Sequence, residues 1–429
     1  MSRQIFVLGG ALLLSVSMWT WMQWIAVPHQ ETESVERGAP RGNLSDLYPR
    51  WLGARELLLH HRDPYGADIT REIQTGYYGR PLDAARPNDP KDQQAFAYPP
   101  YVVLMLAPTV KLPFAEARRV FFWLFVVLTA VSVPLWLRTL GWRLSRTELV
   151  VWVLLTLSCF PAIQGLRLQQ LTVLVTALIA GAMNAVARRH FVLAGMLLAL
   201  ATIKPQLIFL LILWLCIWSV GDWRRRQRVL WSFAITTALL VIAGELLLPG
   251  WITEFLTAMK HYYNYTGGGN SMLDGVLSPI LGKTVSALLV AMLLLFVWRY
   301  RRADERTAAF QWSLCFTLAT TLLVIPMFAP YNQLLLLPGA MQALRTSRQI
   351  WERNRFSRFF CSITALAVFW PFFSAVALTI ALAILSRATV LRAWGLPFYP
   401  SFAIPITLYS LLLVSREVLS AEIVPNVRE

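Results

Sequence analysis

Asp46 stands in the stretch GNLSDLYPRW (residues 42–51), shortly after a wholly apolar run, with Tyr48, Arg50 and Trp51 beside it. A carboxylate is ionised at neutral pH, so an Asp fixed next to a bound hydroxyl can act as a general base. The aromatic neighbours offer flat stacking faces and are equally suited to anchoring a helix at a membrane interface. Lys204, in IKPQ (203–206), is the second group of interest because it interrupts the apolar stretch 191–220. An ionisable side chain at such depth is costly and marks a functional site by default. Its structural alternatives are snorkelling, or contact with carbonyls freed at Pro205. Arg167, with Gln169 and Gln170, occupies another break between apolar runs, RLQQ (167–170). Cations at such breaks suit an anionic phosphate.

Other polar groups carry less chemistry. Asp63 belongs to an Asp-Pro turn opener, and His60, His61, His190 and His261 show no spacing with acids of the kind a metal requires. No metal and no other cofactor is therefore expected. The four cysteines form no CxxC pair and lie in or at the end of apolar runs, where they read as small packing residues. HYYNYTGGGNSMLDG (261–275) contains His261 and Asn270 and reads as an interfacial aromatic belt around a glycine turn. No GKS/T follows its glycines, which excludes a nucleotide-type phosphate loop. Asn43 and Asn264 stand in N-x-S/T sequons.

The elements that must position these groups are set by composition. The 429 residues are 57% hydrophobic and only 14% charged, and apolar runs long enough to cross ~30 Å of hydrocarbon recur along the chain. This predicts an all-α polytopic membrane protein of about 10–13 spans, because a bilayer offers an open backbone no hydrogen-bond partner. The net charge of +16 comes from clusters between the runs, DWRRRQR (222–228), WRYRRADER (298–306) and RTSRQIWERNRFSR (345–358). Placed between spans, they read as cytoplasmic loops and not as a nucleic-acid surface.

The organisation expected is one membrane domain, 1–429: a first span at 5–27, an outer catalytic loop at 28–95, a transmembrane core at 96–344 and C-terminal spans at 345–429. Further spans are expected near 119–137, 148–163, 171–187, 229–248, 278–298, 308–328, 333–344, 359–385 and 399–415. The stretch 191–220 is expected to form two short helices meeting at Lys204-Pro205, since both its ends carry Arg clusters. The stretch 98–113 then dips in and returns on the outer side, and a second outer loop covers 249–277. Within the first loop, Ser45 is a candidate N-cap for a helix in which Leu47, Trp51, Ala54 and Leu58 form an apolar stripe. That helix would lie on the bilayer or on the tops of the spans, with Asp46 and Arg50 one turn apart on another face.

Taken in order, SDLYPRWLGARELLLHHRDPYG, FAYPPYVVLMLAPTV, LRLQQLTVLV, LAGMLLALATIKPQLIFLL, GGGNSML and FAPYNQLLLLPGA resemble the bacterial glycosyltransferase family 87. The likeness spans roughly residues 40–340. It implies a GT-C-like bundle that moves a sugar, mannose or another hexose or pentose, from a polyprenyl phosphate to a lipid or glycan acceptor. The transfer would be inverting and would occur outside the cytoplasmic membrane. Asp46 matches the family's general base. Lys204 and Arg167 are the candidates for the donor phosphate, and Arg50, Tyr48, Tyr98, Gln169, Gln170, His261, Asn270 and Asn332 for substrate binding. Leu171 departs from the pattern, standing where an Asn is expected two residues after Gln169. The expected partners are the lipid-linked donor, the acceptor and membrane lipids, with no nucleic acid. The rival readings are a secondary transporter, which predicts matching broken spans in two halves, and a non-catalytic envelope assembly protein. No second IKPQ-like break occurs in the C-terminal half.

Overall fold

The computed structural model describes residues 2–36, 45–83, 85–265, 269–326 and 328–421. The secondary structure among them is helical throughout, and one isolated bridge joins Ser271 to Pro326. Six helices are long and apolar enough to cross a membrane: Gln4–Glu36, Phe114–Thr139, Trp223–Leu247, Pro279–Tyr300, Arg355–Ile384 and the run Arg387–Val414. A further pair, Arg146–Ser158 and Phe160–Arg167, bends by 59° at Cys159. Four shorter apolar helices, Leu171–Ala187, Phe191–Ile203, Pro205–Val220 and Ala308–Val324, complete the bundle, the first and last of them buried along nearly their whole length. Trp123, Ile235, Leu239, Leu288 and Leu295 point outward and exposed, as side chains facing lipid do. The chain is an all-α polytopic membrane protein.

The first helix does not stop at Val27 but continues through Pro28 to Glu36. The reason lies one turn earlier. Residues Met22–Ala26 form a π-turn in which the Val27 amide donates to the Met22 carbonyl. That wider turn takes up the backbone mismatch a proline imposes on the preceding turn. Asn43 and residues 266–268 lie outside the described residues.

The 191–220 stretch folds as the hairpin its sequence predicts. A helix and a 3-10 turn (Ala201–Ile203) lead to Lys204, whose φ of −128° and ψ of 77° break the helix, and Pro205 starts the next one. Its two far ends are clasped. Glu305, fully buried, pairs with Arg189 and with Arg225 at 3.1 Å. Buried Arg226 lies 4.0 Å over the Trp218 ring and donates to the carbonyls of Trp218, Arg301 and Ala303 at 2.7–2.9 Å. Arg306 joins the same end by donating to the Ala187 carbonyl at 3.3 Å. The helices Leu171–Ala187, Pro205–Val220 and Ala308–Val324 thus run from this Arg-rich end to the end where Lys204 lies.

At the Lys204 end, the polar segments form a cap of short helices. Leu47–His60 buries Leu47, Trp51 and Ala54, so its apolar stripe rests on protein, not on lipid. Trp51 donates to the Thr109 carbonyl at 3.1 Å. This fixes the helix to the short segment Val102–Thr109, which makes a five-residue helix and a 3-10 turn without crossing. The 249–277 stretch is not a loop. Trp251–Tyr265 is a 15-residue helix starting beside Gly250, whose φ of +78° suits glycine. Trp251 is its buried anchor, and Tyr265 ties its far end by donating to the Pro90 carbonyl at 3.1 Å.

Candidate active site

Asp46 is the N-cap residue of Leu47–His60, but its carboxylate does not cap that helix. Its amide donates to the Leu168 carbonyl at 2.8 Å, so the residue is tied from behind to the turn after Phe160–Arg167. Its Oδ2 accepts a short hydrogen bond from the Gln170 side-chain amide. The same Gln170 Nε2 lies 3.0 Å from the Tyr331 hydroxyl. The other end of that amide, Oε1, accepts from Lys204 Nζ at 2.7 Å. Lys204 donates also to Thr172 Oγ1 at 2.7 Å, and the Thr172 hydroxyl passes its own proton to Asn332 Oδ1 at 3.2 Å. Gln170, Thr172, Lys204 and Asn332 are all buried, while Asp46 keeps part of its surface. The chain therefore builds one continuous network from positions 46, 170, 172, 204, 331 and 332.

A second layer lies over it. Arg50, one turn after Asp46, places its guanidinium 4.8 Å over the Tyr98 ring and donates to the Asp46 main-chain carbonyl at 2.8 Å. Its Nε is buried with no hydrogen-bond partner. Lys204 Nζ lies 5.9 Å over the Tyr98 ring and 5.3 Å over the Tyr331 ring, so aromatic faces share the load of a buried ammonium. Tyr98 is itself fixed by its carbonyl, which accepts from the Tyr65 hydroxyl at 2.5 Å. Asp92 closes the outer side, accepting from Gln94 at 2.6 Å and from the Tyr262 hydroxyl at 3.3 Å.

Asp46 lies outside the spans, and burial holds its carboxyl above the ordinary Asp range. Arg50 acts against that, Asp92 adds to it, and Gln170 and Lys204 pull the value back down. The net result is a carboxylate with a higher proton affinity than that of a solvated Asp, the direction that suits a proton acceptor.

Of the residues singled out by sequence, Asp46, Arg50, Tyr98, Gln170, Lys204 and Asn332 come together here, and the others serve elsewhere. Tyr48 packs edge-on against Phe114 at 4.8 Å and sets its hydroxyl against Gly76. Gln169, held at a φ of 44°, turns away from Asp46. Its Oε1 accepts from Ser45 at 2.8 Å and Arg118 at 3.2 Å. The Ser45 hydroxyl, expected to cap the helix, is spent on this buried amide instead. Arg167 Nη1 reaches Met22 Sδ at 3.0 Å. His261 and Asn270 are exposed. The sequence reading overlooked Thr172, Tyr331, Asp92 and Tyr262. Thr172 and Tyr331 neighbour residues already noted in LQQLT and APYN, so the breaks in those runs were the signal. Asp92 carries none.

A family model, glycosyltransferase family 87, matches residues 96–326. This is more than half of the chain, and the segment holds Tyr98, Gln170, Thr172 and Lys204, although not Asp46 or Arg50. No curated protein and no solved structure matches the chain. With the helical membrane architecture and this match together, the chain belongs to glycosyltransferase family 87 and is a polytopic membrane glycosyltransferase.

Proposed function

We propose that the protein transfers one sugar from a polyprenyl phosphate to a hydroxyl of a lipid or glycan acceptor, on the extracytoplasmic side of the cytoplasmic membrane. Asp46 is the general base. The acceptor O–H loses its proton to the Asp46 carboxylate as its oxygen attacks the anomeric carbon. The bond from that carbon to the phosphate oxygen breaks on the opposite face, the phosphate keeps the electron pair, and the configuration inverts. A base so placed typically contributes about 10²–10⁴ in rate. Arg50 supplies the cation for the leaving phosphate, its Nε being free of other partners and its plane held on Tyr98.

The observation that carries this reading is the Asp46 carboxylate itself, partly exposed and held in orientation by the Gln170 amide at the end of short apolar helices. The Arg-rich ends of those helices lie away from it, and the positive-inside rule assigns such ends to the cytoplasm. No second broken span of the IKPQ kind supports an alternating-access transporter. The test is transfer of radiolabel from polyprenyl-phosphate mannose or glucose by purified protein, alongside Asp46→Asn. Asp46→Asn should bind the donor but lose turnover by about 10²-fold or more. Transfer by Asp46→Asn at the parent rate would place the base elsewhere.

A further inference from the structure

Lys204 reaches Asp46 only through an intermediary, and the chemistry of that intermediary is directional. An ammonium donates and cannot accept, so the end of the Gln170 side chain that meets Lys204 Nζ at 2.7 Å must be the oxygen. The NH2 end is then the one left for Asp46. The same rule runs down the other branch. Thr172 Oγ1 accepts from Lys204 and donates its own proton to Asn332 Oδ1. Both ends of the Gln170 amide thus take their direction from one donor-only group. An NH2 aimed at a carboxylate stabilises its ionised form, whereas an amide oxygen in the same place would require the carboxyl to keep its proton.

We propose that Lys204 is a positioning residue that locks the Gln170 amide with its NH2 toward Asp46 and so keeps the base ionised, and that it is not a ligand of the donor phosphate. This rests on the reading of Asp46 as the general base. It replaces the phosphate role that the sequence suggests for Lys204. Both of the Lys204 hydrogen bonds named above go to buried side chains, and its two aromatic neighbours cover it further. Without its charge the Oε1 end loses the donor that fixes it, and Gln170 can turn over as Asp46 takes up a proton. The charged and titratable groups facing Asp46 from the elements around it are Arg50, Asp92, Tyr78, Tyr262 and Tyr331, besides Lys204. None of the other five touches the Gln170 Oε1 end, so none substitutes for Lys204 in fixing that amide.

The experiment is isotope-edited infrared titration of full-length protein carrying 13C-labelled aspartate, with Asp46→Asn as the subtraction that isolates the Asp46 carboxyl. Lys204→Met should titrate about one pH unit or more above the parent, and Lys204→Arg, which also only donates, should return most of that shift. Gln170→Met should move the carboxyl in the same direction, and combining it with Lys204→Met should add little. It also serves if Lys204→Met fails to fold. In transfer assays the acidic limb of the kcat profile should move with the carboxyl, while the donor KM stays within about threefold. An Asp46 carboxyl that titrates unchanged in folded Lys204→Met or Gln170→Met protein overturns the proposal. So does a donor KM raised about tenfold or more with an unmoved acidic limb, which is the signature of a phosphate ligand. The infrared result does not depend on turnover. A protein that shifts its carboxyl as expected but transfers no sugar refutes the proposed function and leaves the coupling standing.

Discussion

Arg50 donates to the main-chain carbonyl of Asp46 and not to its carboxylate. The two side chains therefore share a helix turn without forming the ion pair that their spacing suggests. The carboxylate is left to Gln170, and the guanidinium keeps an unpaired Nε above Tyr98. In the proposed reaction this arrangement would let Asp46 serve as base while Arg50 meets the phosphate. Arg50→Lys keeps charge but loses the planar fork, so its donor KM should rise by about tenfold with a smaller change in kcat. Steady-state kinetics with varied donor check this. A loss confined to kcat would assign Arg50 to Asp46.

The acid range should separate activity from stability. Burial holds the Asp46 carboxyl above its ordinary value, so transfer should fall with decreasing pH at a point above the usual Asp range. For folding the sign is opposite. The folded chain holds this proton more tightly than the unfolded chain, so the Asp46 contribution to stability declines as pH rises from the ordinary carboxylate range to the raised value. Asp46→Asn, which does not ionise, should unfold at a higher temperature than the parent at neutral pH and lose that advantage in acid. Thermal unfolding in detergent at several pH values measures it.

Tyr48 should prove structural. Its hydroxyl fills the space beside Gly76, where a Cβ would overlap it, and its ring packs on Phe114. Gly76→Ala should destabilise the outer cap by about 1–3 kcal/mol, read as a lower melting temperature. Tyr48→Phe should transfer sugar within about threefold of the parent. A large loss of turnover in a stable Tyr48→Phe protein would return Tyr48 to the site.

The far end of the bundle offers a control. Glu305 is fully buried between Arg189 and Arg225, and removing it leaves both guanidiniums the longer Asp304 contacts at 3.3–3.4 Å, with Asp222 besides for Arg225. Glu305→Ala should cost about 1–3 kcal/mol of stability while leaving the donor KM of the surviving folded protein unchanged. Thermal melts paired with kinetics test both halves of the statement.

Sidedness is open to direct labelling. Single cysteines at Asp68, on the cap, and at Arg348, exposed on the short helix Ser347–Arg353, should react oppositely with an impermeant thiol reagent on intact cells. The background would replace Cys159, Cys216, Cys315 and Cys361. Labelling of position 348 from outside would invert the proposed orientation.

The parts legible in the sequence were those where one residue type breaks a strong pattern. Lys204-Pro205 interrupts apolar sequence, so both the hairpin and its charge at the turn were readable. The apolar stripe of Leu47, Trp51 and Ala54 was readable for the same reason, although only packing shows that protein covers it. The choice between Gln169 and Gln170 was not. The two are chemically identical, and the backbone at Gln169, with its positive φ, decides which one faces Asp46. Helical spacing brings Arg50 near Asp46 without saying which oxygen it takes, and only the fold shows that it takes the main-chain carbonyl. Asp92 and Tyr262 meet across 170 positions, a distance over which one sequence carries no pairing signal. The extension of the first helix through Pro28 depended on a π-turn that hydropathy does not register.

The short helices beneath the site have one last consequence. Leu171–Ala187 and Ala308–Val324 have 17 residues each and Pro205–Val220 has 16, so each is roughly 24–26 Å long, against a hydrocarbon core of about 30 Å. With their Arg ends at one boundary, their other ends stop several ångströms short of the opposite one. In a bundle whose peripheral helices run to full length, Lys204 and Gln170 therefore lie below the ends of their longer neighbours, and Asp46 sits over them on the first cap helix. Leu171–Ala187 and Ala308–Val324 are buried along nearly their whole length, so the lipid meets the longer helices around them and the bilayer need not thin to match the short ones. A group anchored in the bilayer would therefore reach Arg50 only by passing between full-length helices, and the gap between them, not the thickness of the lipid, would set its access.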